Sequence, residues 1–169
     1  MFSNFKTHEM NWQDGAQQID DCQYLFATSI SEIGELTLGL VIAEAKAQDR
    51  AHIPMNDSEL EILKANAKPI EPDPTCRVFE VLFDRSHMVS YTVLNESYGV
   101  YPREPEKFVG KFFRKFSWSH LLEFTKQTTI ASEFYPGPLE HYQIACLNHV
   151  VDVIATAPPR IAMGLLKRE

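Results

Sequence analysis

The segment RVFEVLFDRSHMVSYTVLN, residues 77–95, constrains the fold more than any other part of the chain. Successive side chains of a strand point to opposite faces, so a period of two marks a half-buried strand. Here Phe79, Val81 and Phe83 fall on one face, and past the turn at Asp84–His87 the pattern returns in Val89, Tyr91 and Val93. This spacing predicts a β-hairpin.

The same period recurs elsewhere. Cys22, Tyr24 and Phe26 alternate with Gln23 and Leu25, and Leu36, Leu38, Leu40 and Ile42 follow beyond Gly34, which predicts two strands around a turn. KFFRKFS supplies a further short strand, and HYQIACLNHVVDVI, residues 141–154, reads as a closing hairpin, with IAMGLL as a short apolar tail. Helices are signalled twice. Asn56, Asp57 and Ser58 precede ELEILKANA, and Ser117 or Ser119 can cap a helix through about Thr129 that buries Trp118, Leu121 and Leu122. The expected fold is therefore α+β: mainly antiparallel sheet of about seven strands, arranged as a sandwich or curled sheet, with two short helices. Phe79, Val81, Phe83, Val89, Tyr91, Val93, Ile144 and Val153 are expected to share its core.

KPIEPDP, residues 68–74, is a proline-rich connector, but neither side of it could bury a core alone, so residues 1–169 are expected to form one domain. A chain of 169 residues can bury roughly two thirds of its unfolded surface without staples. Its three cysteines, Cys22, Cys76 and Cys146, form no C-x-x-C pair and read as free thiols. The start, MFSNFKTHEMNWQ, lacks a basic region followed by an apolar core, and no run approaches about eighteen apolar residues, so a cytoplasmic protein without a membrane partner is expected.

The net charge of −7 is uneven: residues 1–76 carry thirteen acids against five bases, and residues 77–169 ten acids against eleven bases. The acidity argues against general nucleic-acid binding and suits a basic protein partner. Asp20, Asp21, Glu32 and Glu35, with Glu44 beyond them, are the candidate acidic interaction surface. Solvated strand ends explain the same residues. KFVGKFFRKFSWSH, residues 107–120, interleaves Lys107, Lys111, Arg114 and Lys115 with five aromatic residues, a composition that serves single-stranded nucleic acid. An edge strand guarded by lysines accounts for it equally well.

The closing stretch holds His141, Cys146, His149 and Asp152 within a few positions and invites a catalytic or metal reading. A two-residue turn at Asn148–His149 would place Cys146 opposite Val151 and Ile144 opposite Val153, with Tyr142 on the same apolar face. That sends Asp152 to the other face and leaves exposed imidazoles and an inert, buried thiol. In one straight strand, His141 and His149 would stand about 26 Å apart. None of His8, His52, His87, His120, His141 and His149 is spaced i, i+2 or i, i+4, so no metal site is expected. No cofactor signature of the G-x-G-x-x-G, P-loop or G-x-S-x-G kind is present, so no cofactor is expected either.

Polar groups at a strand end are a common place for binding, which singles out Asn95, Glu96 and Tyr98 with His141 and Asp152 as a candidate ligand or partner site. Asn95 and Ser97 would equally serve as turn residues that satisfy backbone groups. A small acidic β-rich domain without catalytic spacing resembles the toxin-neutralising immunity proteins and adaptor-like domains. That likeness is one of type and carries no residue over. It implies a non-enzymatic protein-binding domain. The alternative is an enzyme or small-ligand domain with a pocket at the sheet end near residues 95–101 and 141–152.

Overall fold

The computed structural model describes residues 7–47, 70–99 and 104–166. Among them run β1 (His8–Met10), α1 (Trp12–Asp20), β2 (Tyr24–Ile33), β3 (Thr37–Ala47), β4 (Ile70–Glu71), β5 (Arg77–Phe83) and β6 (Met88–Asn95). A 3-10 turn follows (Glu96–Tyr98), then β7 (Lys107–Val109), β8 (Phe113–Trp118), α2 (His120–Thr128), β9 (Glu140–Ala145), β10 (His149–Ala155) and β11 (Arg160–Leu165). The fold is α+β and mostly antiparallel. Its eleven described strands exceed the seven expected, because short edge strands such as β1 and β7 leave no periodic trace in three residues. The helix expected over ELEILKANA lies outside the described residues.

The strands form two sheets. The first has the order β1-β11-β5-β3-β2, with β4 attached to β3, and the second has the order β6-β10-β9-β8-β7. Every strand pair within them is antiparallel. Leu38, Leu40, Ile42, Phe79, Val81, Phe83 and Ile161 of the first sheet meet Phe113, Tyr142, Ile144, Val151 and Val153 of the second in one apolar cluster. Tyr142 lies at its centre, with ring centroids 5.9 Å from Phe83, 6.0 Å from Phe113 and 6.3 Å from Trp12.

Helix α1, which the periodic reading passed over, closes one side of this cluster. Asn11 caps it by accepting from the Asp14 amide at 2.9 Å, and Ile19 is wholly buried. Gly15 permits the contact with β11: a Cβ there would come within 2.7 Å of the Ile161 side chain. Glycine, a poor helix former, weakens the sequence signal at the position where the fold needs it.

The segment that opens the sequence reading is not a hairpin. β5 pairs with β11 on one side and β3 on the other, so both of its edges are filled, and the chain crosses after Asp84–His87 to make β6 the edge of the second sheet. Alternation records which face of a strand is apolar and not which strand lies beside it. The two runs do face a common core from opposite sheets, except at Val89, where an irregularity in β6 puts Met88 against the core in its place, and at Val93. Val93 stands opposite Val151 yet is 43% exposed.

The hairpin of β2 and β3 forms as expected, but Leu25 is buried and Tyr24 and Phe26 are only half-buried. Cys22, also buried, precedes the strand and does not set its phase. In the closing hairpin Cys146 pairs across the turn with His149, so the tip is Leu147–Asn148, one residue earlier than expected. Ile144 consequently faces Val151 and Tyr142 faces Val153, while the apolar face itself is unchanged. Asn148 explains the shift. Its side chain accepts from the Ala27 amide at 3.0 Å and donates to the Ala27 carbonyl at 2.9 Å, beside the irregularity in β2 between Ala27 and Ser29. A tertiary contact to the other sheet thus selects the turn.

Candidate functional site

Helix α2 lies over the outer face of the second sheet, and each of its ends carries an unusual feature. At its start Ser119 is the N-cap, accepting from the Leu122 amide at 3.0 Å. Its Oγ lies 2.7 Å from His141 Nδ1, and His141 Nε2 lies 2.9 Å from Asp152 Oδ1. Asp152 Oδ1 also accepts from Gln143 Nε2 at 2.8 Å, and Gln143 Oε1 accepts from Arg114 Nη1 at 2.9 Å. The His141 ring stacks on Phe116 at 4.1 Å with 13° between planes. A neutral imidazole with its proton on Nε2 satisfies every partner, donating to Asp152 and receiving the Ser119 hydroxyl proton on Nδ1.

His141 is therefore buried at 2% exposure, which corrects the expectation of an exposed imidazole. His149 is half-buried, and its Nδ1 is enclosed without a hydrogen bond. His141 and Asp152, both singled out from the sequence, lie eleven residues from each other and off the apolar face. They meet because Gln143 sits opposite Asp152, which makes His141 its diagonal neighbour on the outer face. The serine, histidine and aspartate have the order of a nucleophilic relay. A nucleophile must reach its substrate, however, and Ser119 is fully buried with its oxygen committed to the helix cap. The chain of bonds clamps α2 to the sheet.

At the other end of α2 the apolar residues face outward. Phe124 is 61% exposed, Ile130 85%, Phe134 97% and Tyr135 65%. The loop that carries them is held in shape. Thr129 Oγ1 accepts from the Ala131 amide at 3.2 Å, Ala131 is buried, and Ser132 Oγ accepts from the amides of Phe134 at 3.3 Å and Tyr135 at 3.2 Å. Ser132 and Tyr135 also exchange backbone hydrogen bonds. The order of this turn lowers the entropy cost of using its side chains in a contact. The sequence reading did not single out these residues. A signal was present in TTIASEFYPGP, where large apolar residues interrupt a Ser-, Thr-, Pro- and Gly-containing stretch that belongs to no periodic element.

Of the candidate residues chosen from the sequence, His141 and Asp152 meet, and Asn95, Glu96 and Tyr98 do not join them. Asn95 accepts from the Ser97 amide at 3.1 Å and caps the 3-10 turn, in keeping with the turn role, and Glu96 and Tyr98 are exposed beyond it. Asn95 continues the alternation of Tyr91 and Val93 on the core-facing side of the second sheet, whereas His141 and Asp152 lie on its outer side beneath α2. Tyr101 lies outside the described residues.

The acidic residues also have work within the chain. Asp20 accepts from the amides of Lys111 at 2.9 Å and of Phe112 and Phe113 at 2.7 Å each, clamping a turn around Gly110, which has a φ of 96°. Asp21 is exposed and takes the Gln17 side-chain amide at 2.8 Å. Glu32 accepts from the Tyr91 hydroxyl at 2.8 Å, and Glu35 pairs with Arg85. Glu44 is buried and is gripped from two sides by Arg77, with Nε–Oε2 at 3.0 Å and Nη2–Oε1 at 3.1 Å, while Gln18 holds the remaining Arg77 nitrogen. Burial opposes the ionisation of Glu44, but the hydrogen bonds and charge of Arg77 outweigh it and hold the carboxyl below its usual value.

Among the bases of the 107–118 run, Lys111 binds the Cys22 carbonyl at 3.0 Å and Lys115 pairs with Glu140 at 2.6 Å. The three cysteines are free and buried, and burial pushes the Cys22 and Cys146 thiols up to about 12. Among the described residues no cluster of three or more His, Cys, Asp or Glu side chains could hold a metal ion, and no helix is long and apolar enough to cross a membrane. Compared with known protein families, curated proteins and solved structures, the chain matches none.

Proposed function

We propose that this chain is a non-enzymatic protein-binding domain of the cytosol, of neutralising or adaptor kind, and that it grips its partner through the loop after α2. The observation that carries this reading is the ordered display of Ile130, Phe134 and Tyr135, with Phe124 beside them in sequence, all between 61% and 97% exposed. Large apolar side chains on a fixed turn are costly to expose, and they are the residue types that dominate interface energetics. The net charge of −7 favours a partner whose rim is basic. The loop's own Glu133 is exposed and available to meet it.

The alternative, an enzyme or small-ligand domain, draws on the Ser119, His141 and Asp152 geometry, which would need an opening over Ser119. Affinity capture from the native cytosol separates the readings. The wild-type chain should retain one stoichiometric protein, and the triple variant Ile130→Ser, Phe134→Ser, Tyr135→Ser should lose it while keeping its fold. A partner retained equally by the triple variant would sink the loop as the site.

A further inference from the structure

We propose that β6 is a self-association edge, along which two copies of this chain pair antiparallel and join their five-stranded sheets into one continuous sheet. Among the described residues β6 pairs with β10 alone, so one side of an eight-residue strand keeps its backbone donors and acceptors free of a strand partner. Such an edge is a template for strand addition unless it is short, charged, bulged or covered.

The other three sheet ends carry those devices. β1 has three residues with exposed His8 and Glu9, and β7 has three with exposed Lys107. β2 is irregular between Ala27 and Ser29, and there the hairpin tip covers it: the Leu147 amide donates to the Leu25 carbonyl at 2.8 Å, and Asn148 holds Ala27. β6 reads MVSYTVLN, without a charge or a proline from end to end. Its one irregularity lies opposite Ile154 and Ala155, at the Met88 end, which leaves Ser90–Asn95 regular.

Exposure marks the same segment. Val93 and Leu94 are neighbours in sequence and so point to opposite faces of the sheet, yet they are 43% and 41% exposed. Neither face is fully covered at that end. The occupant that fits is a second copy. A foreign strand would be selected by charges or pockets along the edge, and β6 offers no charge for that purpose. An identical β6 brings the same twist, the same length and uncharged side chains opposite uncharged side chains, and antiparallel pairing about a two-fold axis makes every contact twice.

The rest of the molecule sets the sign of the salt effect. Two chains of −7 repel each other, so added salt should strengthen this pairing, whereas it should weaken the grip on a basic partner. Sedimentation velocity of the full chain, from about 1 μM to about 1 mM at low and high salt, is the experiment, since an eight-residue edge is expected to associate weakly. The expected result is a reversible dimer that grows with concentration and with salt.

In the variant Thr92→Lys, Leu94→Lys the dimer fraction should fall tenfold or more, even though the added lysines lower the overall repulsion. Circular dichroism and melting verify its fold. Phe134→Ser should dimerise as the wild type does. A chain that stays monomeric over the whole range overturns the proposal. So does a dimer that survives the double lysine variant, or one that Phe134→Ser abolishes, which would locate self-association at the loop.

Discussion

The two ends of α2 invert the usual distribution of residues in opposite ways. At its start, Ser119, His141 and Asp152 are polar and enclosed; at its finish, Ile130, Phe134 and Tyr135 are apolar and open. The enclosed set is fully hydrogen-bonded, so its burial costs little once made, and it returns a rigid helix orientation. The open set has no such return among the described residues. On the proposed reading, the side chains with a catalytic look serve architecture, and those with the look of ordinary core are left for a partner.

The largest test of this comparison lies beneath both ends, in the core that carries them. Phe79→Ala should lower stability by about 3 to 5 kcal/mol, because the residue is fully buried between the sheets. Chemical denaturation measures it, and a loss below about 1 kcal/mol would mean that the inner face tolerates a cavity there.

The Glu44–Arg77 pair is the second. Breaking it should cost about 3 kcal/mol, the lower end for a buried pair, since Arg77 is only half-buried. Its folded carboxyl lies below the ordinary value, so its contribution is fully present above the unfolded glutamate pKa of about 4.3 and is lost as pH falls through the folded value. Wild type and Glu44→Gln should therefore be fully separated in melting temperature above about pH 4.3 and converge only as pH falls below the depressed folded value. Parallel curves across the acid range would contradict the assignment.

Asp152→Ala comes next. It strands His141 Nε2–H and the Gln143 amide beneath α2 and should cost about 1 to 3 kcal/mol. A neutral outcome would show that water satisfies both donors and that the clamp is dispensable.

The smallest effect sharpens the contrast most. Phe134→Ser should change stability by no more than about 0.5 kcal/mol, as expected for a side chain that is 97% exposed. A loss comparable to that of Asp152→Ala would mean that the loop packs against the domain and is not free for a partner.

The strands were legible where each obeyed its own period: β3, β5, β9 and β10 show it, and Ser119 as a cap followed from residue type and position. α1 was not legible, because Gly15 interrupts it for the sake of Ile161. The candidate site was legible only in part. His141 and Asp152 were singled out, but their contact depends on a register two residues away from the expected one, chosen by Asn148 at Ala27.

The amino-acid sequence by itself determined the class: alternating apolar faces over short runs, and enough length to bury them. Those properties are local or summed over the chain, and each residue contributes to them independently of its distant neighbours. Only the tertiary structure decided that β5 and β6 part into different sheets, that the acids are mostly tied down, and that one end of α2 is sealed while the other is open. Each of these depends on which edges are already filled and which surfaces are already covered. That competition among distant segments leaves no mark in any single stretch of sequence.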